Sequence, residues 1–144
     1  MKVSARNQFE GVITAMKVGP TTEEVQMTTV GGVRITAVIP HESSLRWGLA
    51  LGTPIVMMVK AEAVILATDA GNMQFTALNR LDGTVVSLRP DVIVTEVEVE
   101  VEVPGGVRVV AVVTGGGAER LGLVVGAPVT ALFKGWNVLV GVAG

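Results

Sequence analysis

The sequence predicts an all-β protein: two tandem OB-like Greek-key β-barrel modules, each with one short helix between strands three and four. Three observations carry that prediction. Val33-Arg34-Ile35-Thr36-Ala37-Val38-Ile39 behind Gly31-Gly32 returns as Val107-Arg108-Val109-Val110-Ala111-Val112-Val113 behind Gly105-Gly106, so one module occurs twice at a register of 74. Apolar and polar residues alternate at period two, most strictly from Thr95 to Val103, which is the pattern of half-buried strands. Each copy holds five such runs with a short helical stretch between the third and fourth, the element order of an OB-type barrel. The repeat divides the 144 residues into units 1–70 and 71–144, and makes any residue present in one copy and lost from the other directly visible.

The elements follow in order. Phe9 to Val18 and Leu81 to Leu88 supply the first strand of each copy. The second and third strands form a hairpin, from about Glu23 to Ile39 around Gly31-Gly32 and from Thr95 to Val113 around Pro104-Gly105-Gly106, because glycine-rich turns between alternating runs favour that connection. Asn7 and Gly11 pair with Asn79 and Gly83 at a register of 72 rather than 74, so two residues are inserted between Gly83 and Gly105, expected in the hairpin turn. Glu42 to Trp47 and Ala118 to Leu121 suit one or two helical turns, stopped by Gly48-Leu49 and Gly122-Leu123, where glycine takes the left-handed stop and leucine the hydrophobic contact. Strands four and five run over Pro54–Val59 and Ala63–Ala67, and over Pro128–Phe133 and Asn137–Val142, with Thr68 to Gln74 as the linker.

Composition points to association. A unit of about seventy residues buries only about 60% of its unfolded surface, and there is no cysteine to staple it. Yet 49% of the chain is hydrophobic and its mean hydropathy is +0.59, so surplus apolar surface is expected to be buried between repeats and between subunits of a homo-oligomer. The longest nearly uncharged stretch, Leu121 to Phe133, is broken by Gly122, Gly126 and Pro128 and is too short to span a bilayer. The polar start Met1-Lys2-Val3-Ser4-Ala5-Arg6-Asn7-Gln8 is unlike a secretory signal, so a cytoplasmic location with no membrane partner is expected. Single-stranded nucleic acid, a common OB partner, needs a basic groove and aromatic platforms. Here the net charge is −2, aromatics are 3% and tyrosine is absent, so no nucleic-acid partner is expected.

Catalysis finds little support, because His41 is the sole histidine and no Ser/His/Asp set recurs in both copies; the expectation is a protein that is not an enzyme. His41 reads as a solvated loop histidine, the alternative being a group beside a bound ligand. Glu96, Glu98, Glu100 and Glu102 read as a solvated face rather than a hard-cation site, since calcium draws oxygens from a curved loop. The run Gly115-Gly116-Gly117 after Thr114 could aim amides at an anion, although loop flexibility explains it as well.

Ser4-Ala5-Arg6-Asn7-Gln8 is more specific when taken with Gly11, Ser43, the Leu45 to Leu49 stretch, Gly52 and Lys60-Ala61. That ordered set resembles the molbindin, or Mop, family, whose module also forms the ligand-binding part of molybdate-responsive regulators and of some molybdate transporter ATPases. The resemblance covers the chain twice and is closest to the free-standing tandem form. It implies a protein that stores or buffers molybdate or tungstate, bound as a tetrahedral oxyanion with no direct protein ligand to the metal. It also implies a trimer in which six modules form a ring. Carried over by position, Ser4, Ala5, Arg6, Lys60 and Ala61 come from one module and Ser43 from a helix start of another; the second copy offers Thr114 and Lys134.

The physical chemistry agrees, because a buried dianion without a metal needs several directed and partly charged donors, and an interface can supply them from two sides. The copies depart from each other at these positions. Arg6 becomes Leu78, Ser43 becomes Gly117, Ala61 becomes Gly135, and Thr114 stands where the first copy has Pro40. A stronger class of site using Arg6 and Lys60 and a weaker or absent class using Lys134 are therefore expected. Taken singly, Arg6 or Lys60 reads equally well as an interface ion-pair partner. A structural or sensory oligomer acting through a protein partner is the alternative to storage.

Overall fold

The computed structural model describes residues 2–144. Each repeat follows the expected order. The first contains β1 (Asn7–Val18), β2 (Thr22–Thr29), β3 (Arg34–Pro40), helix α1 (His41–Trp47), β4 (Pro54–Val59), a 3₁₀ turn (Ala61–Ala63) and β5 (Ile65–Ala67). The second contains β6 (Asn79–Pro90), β7 (Val94–Val101), β8 (Val107–Thr114), helix α2 (Gly115–Leu121), β9 (Pro128–Phe133), a 3₁₀ turn (Gly135–Asn137) and β10 (Leu139–Gly141).

The sheets do not respect the boundary between the repeats. One sheet runs β10-β4-β1-β2-β3 and the other β5-β9-β6-β7-β8, so each takes its fifth strand from the opposite repeat. Leu139–Gly141 pairs with β4 and Ile65–Ala67 with β9, both antiparallel. This exchange answers the expected surplus of apolar residues: a single core cluster includes Phe9, Ile13, Met27 and Met57 from the first repeat with Val85, Val97, Ala131 and Phe133 from the second. Apolar surface still remains exposed at Trp47, Leu51, Ile65, Val92, Trp136 and Leu139.

Repeated residues mark repeated backbone needs. A side chain at Gly11 would place its Cβ 2.3 Å from the Thr28 carbonyl oxygen, and one at Gly83 would stand 2.2 Å from that of Glu100; the neighbouring strand comes too close for anything but glycine. A β-bulge follows in both, between Ile13 and Ala15 and between Val85 and Ser87. Gly48 and Gly122 take the left-handed conformation at φ 62° and 63°, and the buried Leu49 and Leu123 close the helix stops by donating to the carbonyls of Ser44 and Ala118. The two inserted residues fall in the β7–β8 turn, as expected. It spans 102–106 where the β2–β3 turn spans 30–33, and β8 begins one residue earlier than its counterpart.

Two expectations need correcting. Gly115-Gly116-Gly117 is not a loop ahead of the helix but its first turn, capped by Thr114, whose Oγ accepts from the Gly117 N–H at 3.0 Å. Asp91 and Glu119 line the cleft of about 460 Å³ beside Gly115 and Gly116. His41 is not a freely solvated loop histidine either. Its Nδ1 lies 2.9 Å from the Glu23 carboxylate, which is buried on the inner face of β2 and leaves its other oxygen without a partner.

Candidate functional site

Of the predicted residues, Ser4, Ala5, Arg6, Lys60, Ala61 and Lys134 lie where each repeat crosses onto the other. Asn7 opposite Val59 is the last pair of the β1–β4 ladder, so Ser4-Ala5-Arg6 and Lys60-Ala61 leave the sheet side by side. Asn7 then turns its side chain to the other sheet, donating to the Val110 carbonyl at 2.8 Å and accepting from the Val110 N–H at 2.7 Å. An amide side chain can replace one strand partner in this way because it carries one donor face and one acceptor. The 3₁₀ turn after Lys60 packs on the same strand, β8.

The second repeat builds a matching junction. Asn79 opposite Phe133 ends the β6–β9 ladder, and Asn79 donates to the Thr36 carbonyl at 2.8 Å and accepts from the Thr36 N–H at 2.7 Å. Thr76-Ala77-Leu78 and Lys134-Gly135 therefore lie against β3. The offset between registers is explained here too: the asparagines are 72 apart and their partners Thr36 and Val110 are 74 apart, because the insertion lies between them. Asn7 and Asn79 stood out in the sequence only as repeat markers, and no sequence pattern announces which strand they bridge.

Arg6 is engaged across the first junction. Its guanidinium donates to both carboxylate oxygens of Glu96 on β7, at 3.1 and 2.8 Å. The hydrogen bond that Arg6 donates to Glu96 holds the Arg6 pKa above its ordinary value, and the same bond holds the Glu96 carboxyl below its own against the opposing effect of burial. Glu98, next in the acidic row, pairs with Arg108 at 3.2 Å, so part of that row is ion-paired rather than simply solvated. Lys60 and Lys134 are exposed and form no ion pair among the described residues.

The second junction is apolar where the first is charged. A Cβ on Gly135 would lie 3.0 Å from Leu78 Cδ1 and 2.9 Å from Val38 Cγ2, whereas its counterpart Ala61 is accommodated and buried. Two of the departures between the copies are thus neighbours: Leu78, itself about half exposed, borders the space that a methyl group on Gly135 would need.

The helix starts are not joined to these cationic segments within the chain. The Arg6 side chain reaches Glu96, which pairs with Val112, two residues short of Thr114. Ser43 is half-buried in α1, whose start has no side-chain cap at Pro40. No side-chain hydrogen bond among the described residues links Ser43 or Thr114 to Ser4, Arg6, Lys60 or Lys134. No cluster of three or more His, Cys, Asp or Glu among the described residues could hold a metal ion, and no described helix is long and apolar enough to cross a membrane.

Fold and junctions together define a tandem-repeat β-barrel protein, strand-exchanged between its halves, with a lysine-bearing segment at each crossing. The chain belongs to the TOBE domain family, whose profile matches residues 3–66 and 76–140. It is 36% identical over 142 residues to the molybdenum transport protein ModE of Herbaspirillum seropedicae, covering 99% of this chain and 52% of the relative. It is 34% identical over 140 residues to the molybdenum-pterin-binding protein MopA of Rhodobacter capsulatus, covering 96% and 52%. The chain thus spans about half the length of these curated relatives. Among solved structures, the cytoplasmic molybdate-binding protein ModG, crystallised with molybdate bound, superimposes with a TM-score of 0.93 at 37% identity over 99% of this chain and all of that one.

Proposed function

We propose that this protein binds molybdate or tungstate as the intact oxyanion, without catalysis, and serves its storage or homeostasis in the cytoplasm. The observation that carries the reading is the end-to-end match to ModG, a molybdate-bound structure, together with two junctions that each present a lysine in no ion pair among the described residues. The proposed binding units are 1–70 and 71–144, and the proposed contacts are Ser4, Ala5, Arg6, Lys60 and Ala61 at the first junction, Lys134 at the second, and Ser43 and Thr114 from helix starts. Because these sets stay separate within one chain, a closed ring of donors calls for a second copy. A homo-oligomer, read by resemblance as a trimer, supplies it, and the exposed Trp47, Leu51 and Trp136 are apolar surface such contacts would cover.

A tetrahedral dianion fits this design. Main-chain amides and one lysine per junction give directed donors without making the protein basic overall, and sulfate, the smaller tetrahedron, cannot reach all of them at once. Native mass spectrometry of the purified protein, titrated with molybdate and in parallel with sulfate, tests the reading. Stepwise uptake of molybdate by a trimer that ignores sulfate is expected; no uptake at micromolar concentration would overturn it. The match to half of ModE favours a second reading, a sensory module acting through a partner. Retention of a partner only when molybdate is present separates that role from storage.

A further inference from the structure

We propose that Arg6 is a positioning residue rather than an oxyanion ligand. Its guanidinium stays on Glu96 when the anion is bound and holds the Ser4-Ala5 main chain and the Lys60 segment against the second repeat. This inference rests on the binding reading above and reassigns one residue within it.

Three observations point the same way. The Arg6–Glu96 contact is two-pronged, at 3.1 and 2.8 Å, the geometry in which a guanidinium is most specifically held. It joins the first repeat to the second, beside the Asn7 clamp on Val110, so it fixes where the preceding main chain lies. An anion taken up by Arg6 instead would sit next to the Glu96 carboxylate, with that of Glu98 close enough to act on Arg6 as well, and both would repel it.

The second junction supplies an internal control. Leu78 occupies the position of Arg6; about half exposed, it places its Cδ1 3.0 Å from where a Cβ on Gly135 would stand, so it touches its own segment by a one-sided apolar contact. If Arg6 were a required ligand, that junction would be disabled. If Arg6 positions, Leu78 performs the same task by other means and Lys134 serves as Lys60 does. Both junctions are then competent, in place of one strong and one weak class.

Charge reversal tests this on the whole chain, with molybdate as the probe. Arg6→Glu and Glu96→Arg should each weaken binding by about ten-fold or more, since each sets like charges opposite one another and loses charge-assisted bonds. The double variant Arg6→Glu/Glu96→Arg should recover to within about three-fold of wild type because the pair is restored in reverse. No recovery, with wild-type binding intact, overturns the assignment: a carboxylate at position 6 would then face the anion.

A wild-type measurement decides even where the variants fail to fold. The Glu96 carboxylate carbon, read by NMR near neutral pH where molybdate stays a tetrahedral dianion, should keep its chemical shift with and without saturating molybdate; a shift toward that of the Arg6→Leu variant on binding means Arg6 has moved to the anion. Lys134→Ala should remove as many bound anions as Lys60→Ala, and no loss at Lys134 would contradict the second junction's competence. A wild type that binds no molybdate overturns the underlying reading along with this one, an outcome distinct from binding without rescue.

Discussion

The two junctions solve one problem with different chemistry. At each, a chain segment must cross from its own sheet to the sheet of the other repeat and stay there. Both use an asparagine clamped on the backbone of a foreign strand, Asn7 on Val110 and Asn79 on Thr36. Beside the clamp the first junction uses an ion pair between Arg6 and Glu96, and the second uses Leu78 over Gly135. What persists through the duplication is therefore the crossing geometry, and the contacts flanking it are free to change in kind.

The clamps should dominate the energetics. Asn7→Ala leaves the N–H and C=O of Val110 without their partner in a buried setting, and at roughly 1–3 kcal/mol for each unsatisfied group the expected loss is about 3 kcal/mol. Asn79→Ala should cost less, because its bonds to Thr36 are only partly buried and water can replace them. Urea unfolding of the two variants measures the difference; equal losses would mean that the clamps do not differ in solvent access.

The next effect concerns a pair only the first repeat contains. Glu23 is buried and His41 binds one of its oxygens, while the second repeat has Thr95 and Gly115 at these positions and an open cleft there. His41→Ala strips a buried carboxylate of its partner and should cost about 2 kcal/mol. Glu23→Thr/His41→Gly, which copies the second repeat, should cost less than the single change because no orphaned carboxylate remains. Thermal unfolding compares them, and a double variant worse than His41→Ala would show that the pair itself, not the isolated charge, matters.

How much of this was legible follows from what kind of contact each feature is. The strands, the helix stops at Gly48 and Gly122, and the two-residue insertion are local, and period-two alternation or a glycine in a turn reports them. Glu23 was also legible in principle, since it shares the inner face of β2 with Val25 and Met27, although a carboxylate there has no local signature. The strand exchange was not. β5 and β10 are three residues each, and an alternating triplet carries no information about which sheet it joins. For the same reason Lys60 and Lys134 could be singled out by the repeat, whereas Glu96 as the partner of Arg6, ninety residues away, could not.

Packing at the second junction offers a smaller and sharper test. Gly135→Ala makes that position match Ala61 and drives a methyl group toward Leu78, Val38 and the Thr36 carbonyl oxygen; overpacking of this kind costs about 1–2 kcal/mol. Adding Leu78→Ala opens space on one side, so the double variant should lose less than the sum of the two single losses. A double-mutant cycle by chemical denaturation measures that coupling, and simple additivity would refute the idea that Leu78 and Gly135 changed together.

The smallest effect should come from acid, and only at the first junction. The Glu96 carboxyl is lowered in the folded protein by its bond from Arg6, so the folded state binds a proton less readily there than the unfolded chain does. That difference stabilises the fold fully above the ordinary glutamate value of 4.5 and is lost as pH falls below it, through the lowered value. Arg6 adds no pH dependence of its own in this window, since its pKa is raised from a value already far above it. Arg6→Leu, which gives the first junction the residue of the second, abolishes the pair without touching the carboxylates elsewhere. The gap in unfolding midpoint between wild type and this variant should therefore be small near neutrality, because the pair is largely exposed and screened. It should shrink further as Glu96 takes up its proton. A gap unchanged by acid would mean that Arg6 contributes through the packing of its aliphatic stem, as Leu78 does, and the two junctions would then be alike in kind after all.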